Sequence, residues 1–594
     1  MSYDAIALKN MAGAVRADAL RAVLSAHSGH VGIVLGAADI ITAVFANFVR
    51  RGIDRFVLSA GHGSALLYAT LKLAGYKIGG IESFRKIGGL PGHPEYGIDG
   101  VDATTGPLGQ GVANAVGMAL AEKIQKSRAN IYCLCSDGDL SEGVASEAIA
   151  FAGRYKLNNL VLLWDDNGIT IDGVAQTDVD IPLRMRAAGW NVISVDGESG
   201  EKITRAISES KRSRAPTFIQ CKTTIGKYSS AAGTAAAHGL ALNDSEIEQV
   251  IKKVDSATGR ALWKKHVADS SYTPRFPDNA IDLSRVKTPS SPSVASTREL
   301  SGAYIDAMLA AGVNIIGGSA DLGLNTNARV KNSVAVTPDK FDGNYIDYGV
   351  REHAMAAIMN GMAAMGLRPY GATFLVFSDY MRPAMRLSAM SGLPVVYVFS
   401  HDSIAVGEDG PTHQPVEQLS SLRLIPNMNV FRPCNMIEVA SAWRMALGEK
   451  SRPSCIVLSR QKFAQVESPS GAEIMRGAYV MQPAKSARVK ITLVATGAEV
   501  PLAIEVAKIL GDNVQVVSMP SVEHFRVQSA LYKQQILRGF VVAIEAASPT
   551  PWFEFADAVI GVNRFGMSGS GAAVYSALGF DTNQIAREIS DKVK

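Results

Sequence analysis

The sequence is poor in cysteine, in long apolar runs and in net charge, and each shortage excludes a class of protein. Five cysteines among 594 residues, an odd number, argue against a disulfide framework. No run of about 18 apolar residues occurs, so we expect no membrane span. The N-terminal MSYDAIALKN lacks the basic-then-apolar pattern of a signal peptide, so we expect a cytoplasmic protein. Lys plus Arg number 59 and Asp plus Glu 55, a net charge of +4 that does not favour binding to nucleic acid or to a membrane surface.

What the chain does contain is enough apolar sequence for several buried cores. Its 594 residues are 47% hydrophobic, which allows about three domains. Apolar runs that alternate with helix-like segments predict an α/β fold with mostly parallel sheets covered by helices. A helix is predicted over residues 36–49. The runs that predict buried strands are Ile131–Cys135, Leu160–Trp164, Val192–Val195, Phe218–Cys221, Asn314–Gly318, Val395–Phe399, Ser454–Leu458, Ile491–Ala495, Val514–Ser518 and Val541–Ile544.

Two polar segments divide the chain. Residues 268–297 are rich in Ser, Pro and Asp and are typical of a linker. A second polar gap, ESPSGA, covers residues 467–472. We therefore predict domains at residues 1–267, 298–468 and 469–594, with the linker at 268–297.

Histidines provide the first functional signal. Of ten histidines, six lie in short Gly, Pro or Ser contexts, namely His30, His62, His93, His238, His401 and His413. A solvated loop histidine is the ordinary interpretation of any one of them. Because such loops allow close backbone approach to a ligand, the set favours a polar pocket for an oxygen-rich molecule.

Two predicted strands end in acidic and amide residues. The segment IYCLCSDGDLSEG at 131–143 is a strand that ends at Asp137 and runs into a helix, and the next strand ends in DDNGI, which contains Asn167. Adjacent parallel strands would bring Asp137 and Asn167 to one edge, where α/β sheets bind ligands. A carboxylate, an amide oxygen and a backbone carbonyl suit Mg²⁺ or Ca²⁺. On these residues alone, a helix-capping Asp with an Asx turn is the favoured interpretation.

A glycine-rich turn adds a possible phosphate site. Residues 106–111, GPLGQG, lead into an Ala-rich helix, and such a turn can cradle phosphate at the helix N-terminus. Taken alone this signal is weak, because Gly-Pro turns are common.

Taken together, these motifs resemble the transketolase family in order and spacing. The segments that carry the resemblance are TTGPLGQG, SDG with DDNGI, the glycine-flanked histidines, HDSIAVGEDGPTHQP at 401–415, GGSADL at 317–322, YGVREHAM at 348–355, TFLVFSDY at 373–380, RPC at 432–434 and LSRQ at 458–461. The match covers nearly the whole chain. It implies three α/β domains, which are a diphosphate-binding domain, a pyrimidine-binding domain and a smaller C-terminal domain. It also implies a homodimer whose two active sites lie between subunits, with the thiamine diphosphate cofactor shared between the two chains.

The resemblance further implies roles for single residues. The implied ligands of Mg²⁺ or Ca²⁺ are Asp137, Asn167 and the carbonyl of Ile169. The implied cofactor contacts are His62, Gly106, Pro107, Leu108, Gly138, Asn167, His238 and Phe377, which would stack on the aminopyrimidine. The implied substrate contacts are His30, His238, Arg298, Asn325, His401, Asp409, His413 and Arg460. The implied catalytic residues are Glu352, whose protonated carboxyl would hydrogen-bond the cofactor ring, and His30, His93 and His413.

The expected reaction is the reversible transfer of a two-carbon ketol unit from a ketose phosphate to an aldose phosphate in the non-oxidative pentose phosphate pathway. Three positions depart from the family pattern, since Asn325 replaces Ser, Val31 replaces Pro and Ser136 replaces the first Gly of Gly-Asp-Gly. The stretch between His238 and Arg298 is also shorter than usual. Alternatives are a formaldehyde-using transketolase, a synthase that joins pyruvate to glyceraldehyde phosphate, and an inactive homologue that serves as a sensor or scaffold.

Overall fold

The computed structural model describes residues 3–176, 179–239, 242–269 and 280–593, which divide into two compact units. The first unit comprises residues 1–278, 337–342 and 357–366. The second comprises residues 279–336, 343–356 and 367–594. Each unit is built around mostly parallel β-sheet with helices.

The first unit alternates strands and helices along the chain. Its helices are α1 (Ala5–Ala26), α2 (Val31–Gly36), α3 (Ala38–Asn47), α4 (Ser64–Leu73), α5 (Gln110–Ile124), α6 (Asp137–Ser141), α7 (Gly143–Arg154), α8 (Ile181–Ala187), α9 (Gly200–Ser210), α10 (Asp244–Val254) and α11 (Ala257–Ala268). Its strands are β1 (Arg55–Leu58), β2 (Ile131–Ser136), β3 (Leu160–Asp166), β4 (Ile169–Thr170), β5 (Gly173–Val174), β6 (Asn191–Asp196) and β7 (Thr217–Lys222).

Five of these strands form one parallel sheet in the order β1-β2-β3-β7-β6, while β4 and β5 form a small antiparallel pair. The register places Ser136 of β2 opposite Asp165 of β3, so the two strands end side by side. The central strands β2 and β3 are buried almost throughout, as parallel strands covered by helices on both faces are. Both predicted strand ends therefore lie at one edge of the sheet.

The second unit contains two larger sheets. Its helices are α12 (Thr297–Ala310), α13 (Glu352–Ala364, whose last residues belong to the first unit), α14 (Ser378–Ser391), α15 (Gln418–Arg423), α16 (Met436–Gly448), α17 (Glu499–Leu510), α18 (Val522–Arg526), α19 (Ala530–Ile536), α20 (Gly571–Ala577) and α21 (Thr582–Val593). Its strands are β8 (Val294–Ala295), β9 (Gly317–Ser319), β10 (Tyr345–Asp347), β11 (Tyr370–Phe374), β12 (Val396–Ser400), β13 (Asn429–Phe431), β14 (Ser454–Val457), β15 (Phe463–Ala464), β16 (Tyr479–Gln482), β17 (Ile491–Ala495), β18 (Val514–Ser518), β19 (Phe540–Ile544) and β20 (Ala558–Ile560).

One sheet of the second unit is fully parallel, in the order β10-β9-β11-β12-β14-β13. The other has the order β16-β18-β17-β19-β20, in which only the edge strand β16 is antiparallel. The strands β8 and β15 form a separate antiparallel pair. The α/β fold with mostly parallel sheets is thus confirmed.

Most predicted strands are present, and four details differ from the prediction. Residues 192–195 do form a strand, but β6 is partly exposed rather than buried because it lies at the sheet edge with β7 as its neighbour. The strand predicted at 314–318 begins only at Gly317, where pairing with β10 starts. The helix predicted over 36–49 is shorter, since α3 ends at Asn47 and a separate α2 precedes it.

The fourth difference concerns the predicted linker at 268–297, of which residues 270–279 lie outside the described residues. The start of this segment is helical, because α11 ends at Ala268. Its end is also ordered, because Val294–Ala295 pairs with β15 and α12 begins at Thr297. The three domain boundaries remain a prediction.

The described residues include no helix that is long and apolar enough to cross a membrane. The five cysteines are free and buried. Two of them, Cys133 and Cys135, lie within the buried strand β2.

Candidate active site

The carboxyl ends of β2 and β3 bring two of the predicted metal ligands to one cavity. Asp137 follows β2 and begins α6, and Asn167 follows β3. Both line a cavity of about 360 Å³ in the first unit, together with Ile169. The Asn167 amide donates to Asp165 at 3.0 Å, while its Oδ1 accepts from the backbone N–H of Ile169 at 3.0 Å. This second bond is the expected Asx turn, and it fixes the orientation of the amide.

Asp137 does not serve as the helix cap. The side chain of Ser136 caps α6 by accepting from the N–H of Asp139, so the capping explanation applies to Ser136. Asp137 is 4% exposed, and its Oδ2 has no hydrogen-bond partner within the described residues. Burial, with the nearby charges of Asp165 and Asp166, raises the pKa of Asp137 to about 7. A buried carboxylate in this situation fits a site for a cation.

Among the residues that the structure describes, no three His, Cys, Asp or Glu side chains group to hold a metal. A cation at this edge would therefore depend on neutral oxygens as well as on Asp137. The Asn167 amide and the Ile169 carbonyl are of the type that Mg²⁺ and Ca²⁺ accept.

The glycine-rich turn lies against the same edge. Gly106 has φ +150° and Gly109 has φ +76°, conformations that favour glycine. A Cβ added to Gly138 would lie 2.8 Å from Cδ1 of Leu108, and one added to Gly61 would lie 2.7 Å from the backbone N of Gly106. Gly106, Leu108 and Gly138 all line the cavity. Glycine thus leaves no side chain between the main chain of these turns and the cavity, so main-chain N–H groups could bind a ligand phosphate.

Four of the six histidines surround this cavity, namely His30, His62, His93 and His238. The ring centroids of His30 and His62 are 5.3 Å apart, those of His62 and His238 are 5.3 Å apart, and those of His30 and His93 are 6.5 Å apart. Burial is the main cause that lowers the pKa of His30 to about 4 and that of His62 to about 3, and it also lowers the pKa values of His93 and His238. These imidazoles are neutral at pH 7, so they can both donate and accept hydrogen bonds.

Sequence reasoning missed three residues that orient side chains around this cavity, namely Arg85, Asp165 and Thr223. Nη2 of Arg85 lies 3.5 Å from Nδ1 of His30, and Nη1 of Arg85 donates to Ser28 at 2.5 Å. Thr223 donates to Asp165 at 2.5 Å, and Asp165 in turn holds the Asn167 amide. The acidic pair before Asn167 was a visible signal for Asp165, whereas nothing in the local sequence marked Arg85 or Thr223.

The second unit places Glu352 at the first position of α13. Its side chain is half-buried, and burial raises the pKa of this carboxyl above its usual value. Oγ1 of Thr373 donates to Oε1 of Glu352 at 3.4 Å. Burial therefore favours the protonated form that could donate a hydrogen bond.

Aromatic rings and the other two histidines form a cluster within the second unit. The rings of Phe374 and His401 stack with centroids 3.6 Å apart, and those of Phe374 and Phe377 stack at 5.9 Å. Phe377 also meets His413 edge-on at 5.5 Å and Tyr380 at 6.1 Å. Phe377 is thus held between other rings, and its own side chain is only half-buried.

Two arginines adjoin this cluster. Arg298 donates through Nη1 to the backbone carbonyl of Asn325, while its buried Nε has no hydrogen-bond partner within the described residues. Arg460 donates to the carbonyl of Val406 at 3.2 Å. Burial, followed by the charges of Arg298 and Arg460, lowers the pKa of His401 to about 3. Positive charge concentrated in this way fits an anionic ligand.

The remaining predicted substrate residues are less constrained. The side chain of Asn325 is exposed, and Arg298 contacts its backbone. Asp409 is also exposed, and His413 is half-exposed with its Nδ1 at 2.9 Å from the hydroxyl of Thr412. Pro107 is exposed within the glycine-rich turn.

Comparison with known proteins identifies three family models along the chain. Residues 7–266 match the thiamine diphosphate binding domain of transketolase, residues 293–465 match the transketolase pyrimidine binding domain, and residues 477–581 match the transketolase-like C-terminal domain. The chain is 41% identical to a transketolase of Sinorhizobium medicae, an alignment that covers 98% of this chain and 93% of the relative. It is 39% identical to a transketolase of Rhodobacter capsulatus, with 98% and 97% covered.

Solved structures agree with this likeness. A transketolase of Pichia stipitis in complex with sedoheptulose 7-phosphate has a TM-score of 0.94 and 35% identity, covering 99% of this chain and 97% of that one. A transketolase of Leishmania mexicana has a TM-score of 0.94 and 34% identity with the same coverage.

Proposed function

The chain belongs to the transketolase family, and we propose from this that it catalyses reversible transfer of a two-carbon ketol unit between sugar phosphates. The donor would be a ketose phosphate such as xylulose 5-phosphate, and the acceptor an aldose phosphate such as ribose 5-phosphate. The observation that carries the proposal is the cavity of the first unit, which combines four neutral histidines with Asp137, Asn167 and the glycine-rich turn. The reaction would belong to the non-oxidative pentose phosphate pathway, and the cytoplasm is the proposed location.

The cofactor would be thiamine diphosphate, which the match to a thiamine diphosphate binding domain supports. When bound, it supplies a nucleophilic carbon that adds to the ketose carbonyl and carries the two-carbon unit. Its diphosphate end would be contacted by His62, Gly106, Leu108 and Gly138. Pro107, in the same turn as Gly106, and His238 are proposed as further cofactor contacts. A divalent cation, Mg²⁺ or Ca²⁺, would be bound by Asp137, Asn167 and the Ile169 carbonyl.

Glu352 and Phe377 are proposed to act on the cofactor ring, and three histidines on the substrate. The protonated carboxyl of Glu352 would donate a hydrogen bond to the aminopyrimidine, and Phe377 would stack on that ring. Because burial keeps His30 and His93 neutral, each can donate and accept hydrogen bonds with sugar hydroxyl groups, and both are proposed to transfer protons there. His413 is proposed for the same role.

The far end of the sugar would be bound in the second unit. Arg298, Arg460 and His401 would bind the phosphate, because guanidinium groups match phosphate oxygens. Asn325 would contribute to the phosphate site, and Asp409 would contact a sugar hydroxyl.

We propose a homodimer in which each active site uses both subunits. Sedimentation equilibrium should give about twice the chain mass of 63.0 kDa, and a mass of one chain at the concentrations used for the assay would contradict the dimer. Domain boundaries at residues 1–267, 298–468 and 469–594, with a linker at 268–297, form part of the same proposal.

The decisive experiment supplies thiamine diphosphate, Mg²⁺, xylulose 5-phosphate and ribose 5-phosphate and measures sedoheptulose 7-phosphate. Pyruvate or formaldehyde in place of a sugar phosphate tests the two related activities. Asp137→Ala serves as the inactive control. A wild-type protein that binds the cofactor but makes no product would favour the sensor or scaffold alternative.

A further inference from the structure

One buried carboxylate connects the segments that surround the cavity of the first unit. The side chain of Asp139 has 0% exposure. Its Oδ1 accepts from the hydroxyl of Ser59 at 2.6 Å and from the backbone N–H of Gly109 at 2.8 Å. Its Oδ2 accepts from the backbone N–H of Ser136 at 2.9 Å and from the hydroxyl of the same residue at 3.0 Å. Four donors saturate the acceptor positions of an ionised carboxylate.

These donors come from three distant parts of the chain. Ser59 follows β1, Gly109 is in the glycine-rich turn 106–111, and Ser136 ends β2 immediately before Asp137. Ser59 also accepts from the backbone N–H of Val112 at 3.1 Å, so the first turn of α5 is tied to the same point. The carboxylate therefore joins the turn that carries Gly106 and Leu108 to the turn that carries Asp137 and Gly138.

Asp139 does not itself line the cavity, whose walls include Gly106, Leu108, Asp137 and Gly138. Its influence on a ligand would therefore act through the two turns. A ligand that binds both turns must otherwise order them, which costs binding affinity, and a pre-formed arrangement avoids that cost.

We propose that Asp139 is a positioning residue that sets the affinity for thiamine diphosphate by holding the 106–109 turn against the 136–138 turn. The inference rests on the proposed function, since it takes these turns as the binding site of the cofactor. Ser136, which departs from the family pattern, supplies one donor that a glycine would lack, its side-chain hydroxyl.

Asp139→Asn is the sharpest perturbation because it keeps the shape of the side chain. An amide has one acceptor oxygen, and its NH₂ group cannot accept from an N–H donor. With the NH₂ group at the Oδ1 position, the bond from the Gly109 N–H is lost. With the NH₂ group at the Oδ2 position, the bond from the Ser136 N–H is lost, and the Gly109 N–H donates to a neutral oxygen, which accepts a weaker bond than a carboxylate does. Either orientation weakens the connection between the two turns.

Asp54→Asn is a matched control within the same unit. The Asp54 side chain has 0% exposure and accepts from Arg50 and from the backbone of Asn130. It precedes β1 at the amino end, whereas Ser59 follows that strand at the carboxyl end. This variant also weakens a buried, hydrogen-bonded carboxylate, but it leaves both turns intact.

The experiment measures four quantities in wild type and both variants. They are the melting temperature of the apoprotein, the dissociation constant of thiamine diphosphate at fixed Mg²⁺, hydrogen exchange of the 104–113 peptide, and kcat with saturating cofactor. For Asp139→Asn we expect a dissociation constant about 10- to 100-fold higher and faster exchange in that peptide, because the variant loses one or two of four bonds to a charged group. With saturating cofactor, kcat should stay within about threefold of wild type, since binding rather than chemistry is affected.

Asp54→Asn should lower the melting temperature without changing the dissociation constant by more than about twofold. Unchanged affinity and exchange in Asp139→Asn, or an equal loss of affinity in Asp54→Asn, would overturn the inference. If Asp139→Asn does not fold, Ser59→Ala provides the test, because it removes one donor to Oδ1 of Asp139. A dissociation constant for thiamine diphosphate equal to that of wild type would then reject the proposal. A wild-type protein that binds the cofactor without forming sedoheptulose 7-phosphate would refute the proposed function alone.

Discussion

Arg460→Ala tests whether the second unit binds the phosphate of the sugar. The Arg460 residue is exposed, and among the described residues its guanidinium donates to the carbonyl of Val406 at 3.2 Å, which leaves other N–H groups for a ligand. A hydrogen bond to a charged group contributes about 1.5–3 kcal/mol, and solvent screening of an exposed cation favours the lower part of that range. We therefore expect the KM for xylulose 5-phosphate to rise toward the lower end of a roughly 10- to 100-fold range, while kcat changes little.

The assay compares xylulose 5-phosphate with hydroxypyruvate, a donor that has no phosphate. The acceptor should be glycolaldehyde, because a phosphorylated acceptor would use the same arginines. Hydroxypyruvate kinetics should remain near wild type. Arg488→Ala, which removes an exposed arginine before β17, is the control and should change neither donor.

Two related variants refine this prediction. Arg298→Ala should be more severe than Arg460→Ala, because Arg298 is half-buried and also holds the backbone of Asn325. Asn325→Ser should alter the donor KM only a few-fold, since the contact seen at this position is made by the backbone carbonyl. Equal losses for both donors in Arg460→Ala would mean that the residue supports the fold or the cofactor site and would refute the phosphate assignment.

Three further predictions address the other groups. Glu352→Gln should leave cofactor affinity largely intact but slow deuterium exchange at the reactive cofactor carbon at least about 100-fold, or about 2.7 kcal/mol, and exchange at the wild-type rate would contradict its acid role. Asp137→Ala should abolish thiamine diphosphate binding at ordinary Mg²⁺ concentrations, and calorimetry that finds unchanged affinity would reject the metal site. The folded-state pKa values of His30 and His62 are lowered to about 4 and about 3. The unfolded chain therefore binds more protons than the folded chain below about pH 6.5, and the apoprotein should lose stability as the pH falls from about 6.5 toward 4. The loss in free energy of unfolding should reach up to about 1.4 kcal/mol per pH unit for each histidine. Urea unfolding at pH 7 and pH 5 should therefore show a smaller difference in stability for His30→Gln than for wild type. An equal difference would mean that His30 is not a source of the pH dependence.

The sheet edge could be predicted from sequence because it depends on local patterns. Apolar runs marked β2 and β3, and the parallel pairing of adjacent runs was enough to place Asp137 and Asn167 at one edge. The partial exposure of β6 could not be predicted in the same way. Its composition is that of a buried strand, and its position at the edge follows from which strands pair across the sheet.

The histidines show a similar limit. Their glycine contexts correctly selected loops near a polar cavity, and four of the six lie around one cavity. The sequence did not reveal that His401 and His413 belong to a separate aromatic cluster in the second unit. Nor did it reveal Asp139, whose donors lie up to 80 residues away in sequence, because such contacts exist only once the sheet has formed.

Pairing distinguishes the buried charges that support the fold from those proposed to bind ligands. Arg432, part of a motif that carried the family resemblance, is 1% exposed and forms ion pairs with Asp402 at 2.8 Å and with Glu499. Its charge is therefore neutralised within the second unit. Asp137 is also buried, yet the charges that act on it are those of Asp165 and Asp166, which have the same sign. Arg298 lies near the like charge of Arg460 as well as the opposite charge of Glu299, which also pairs with Lys462. A metal ion at Asp137 and a phosphate at Arg298 would each add an opposite charge where like charges are held close together.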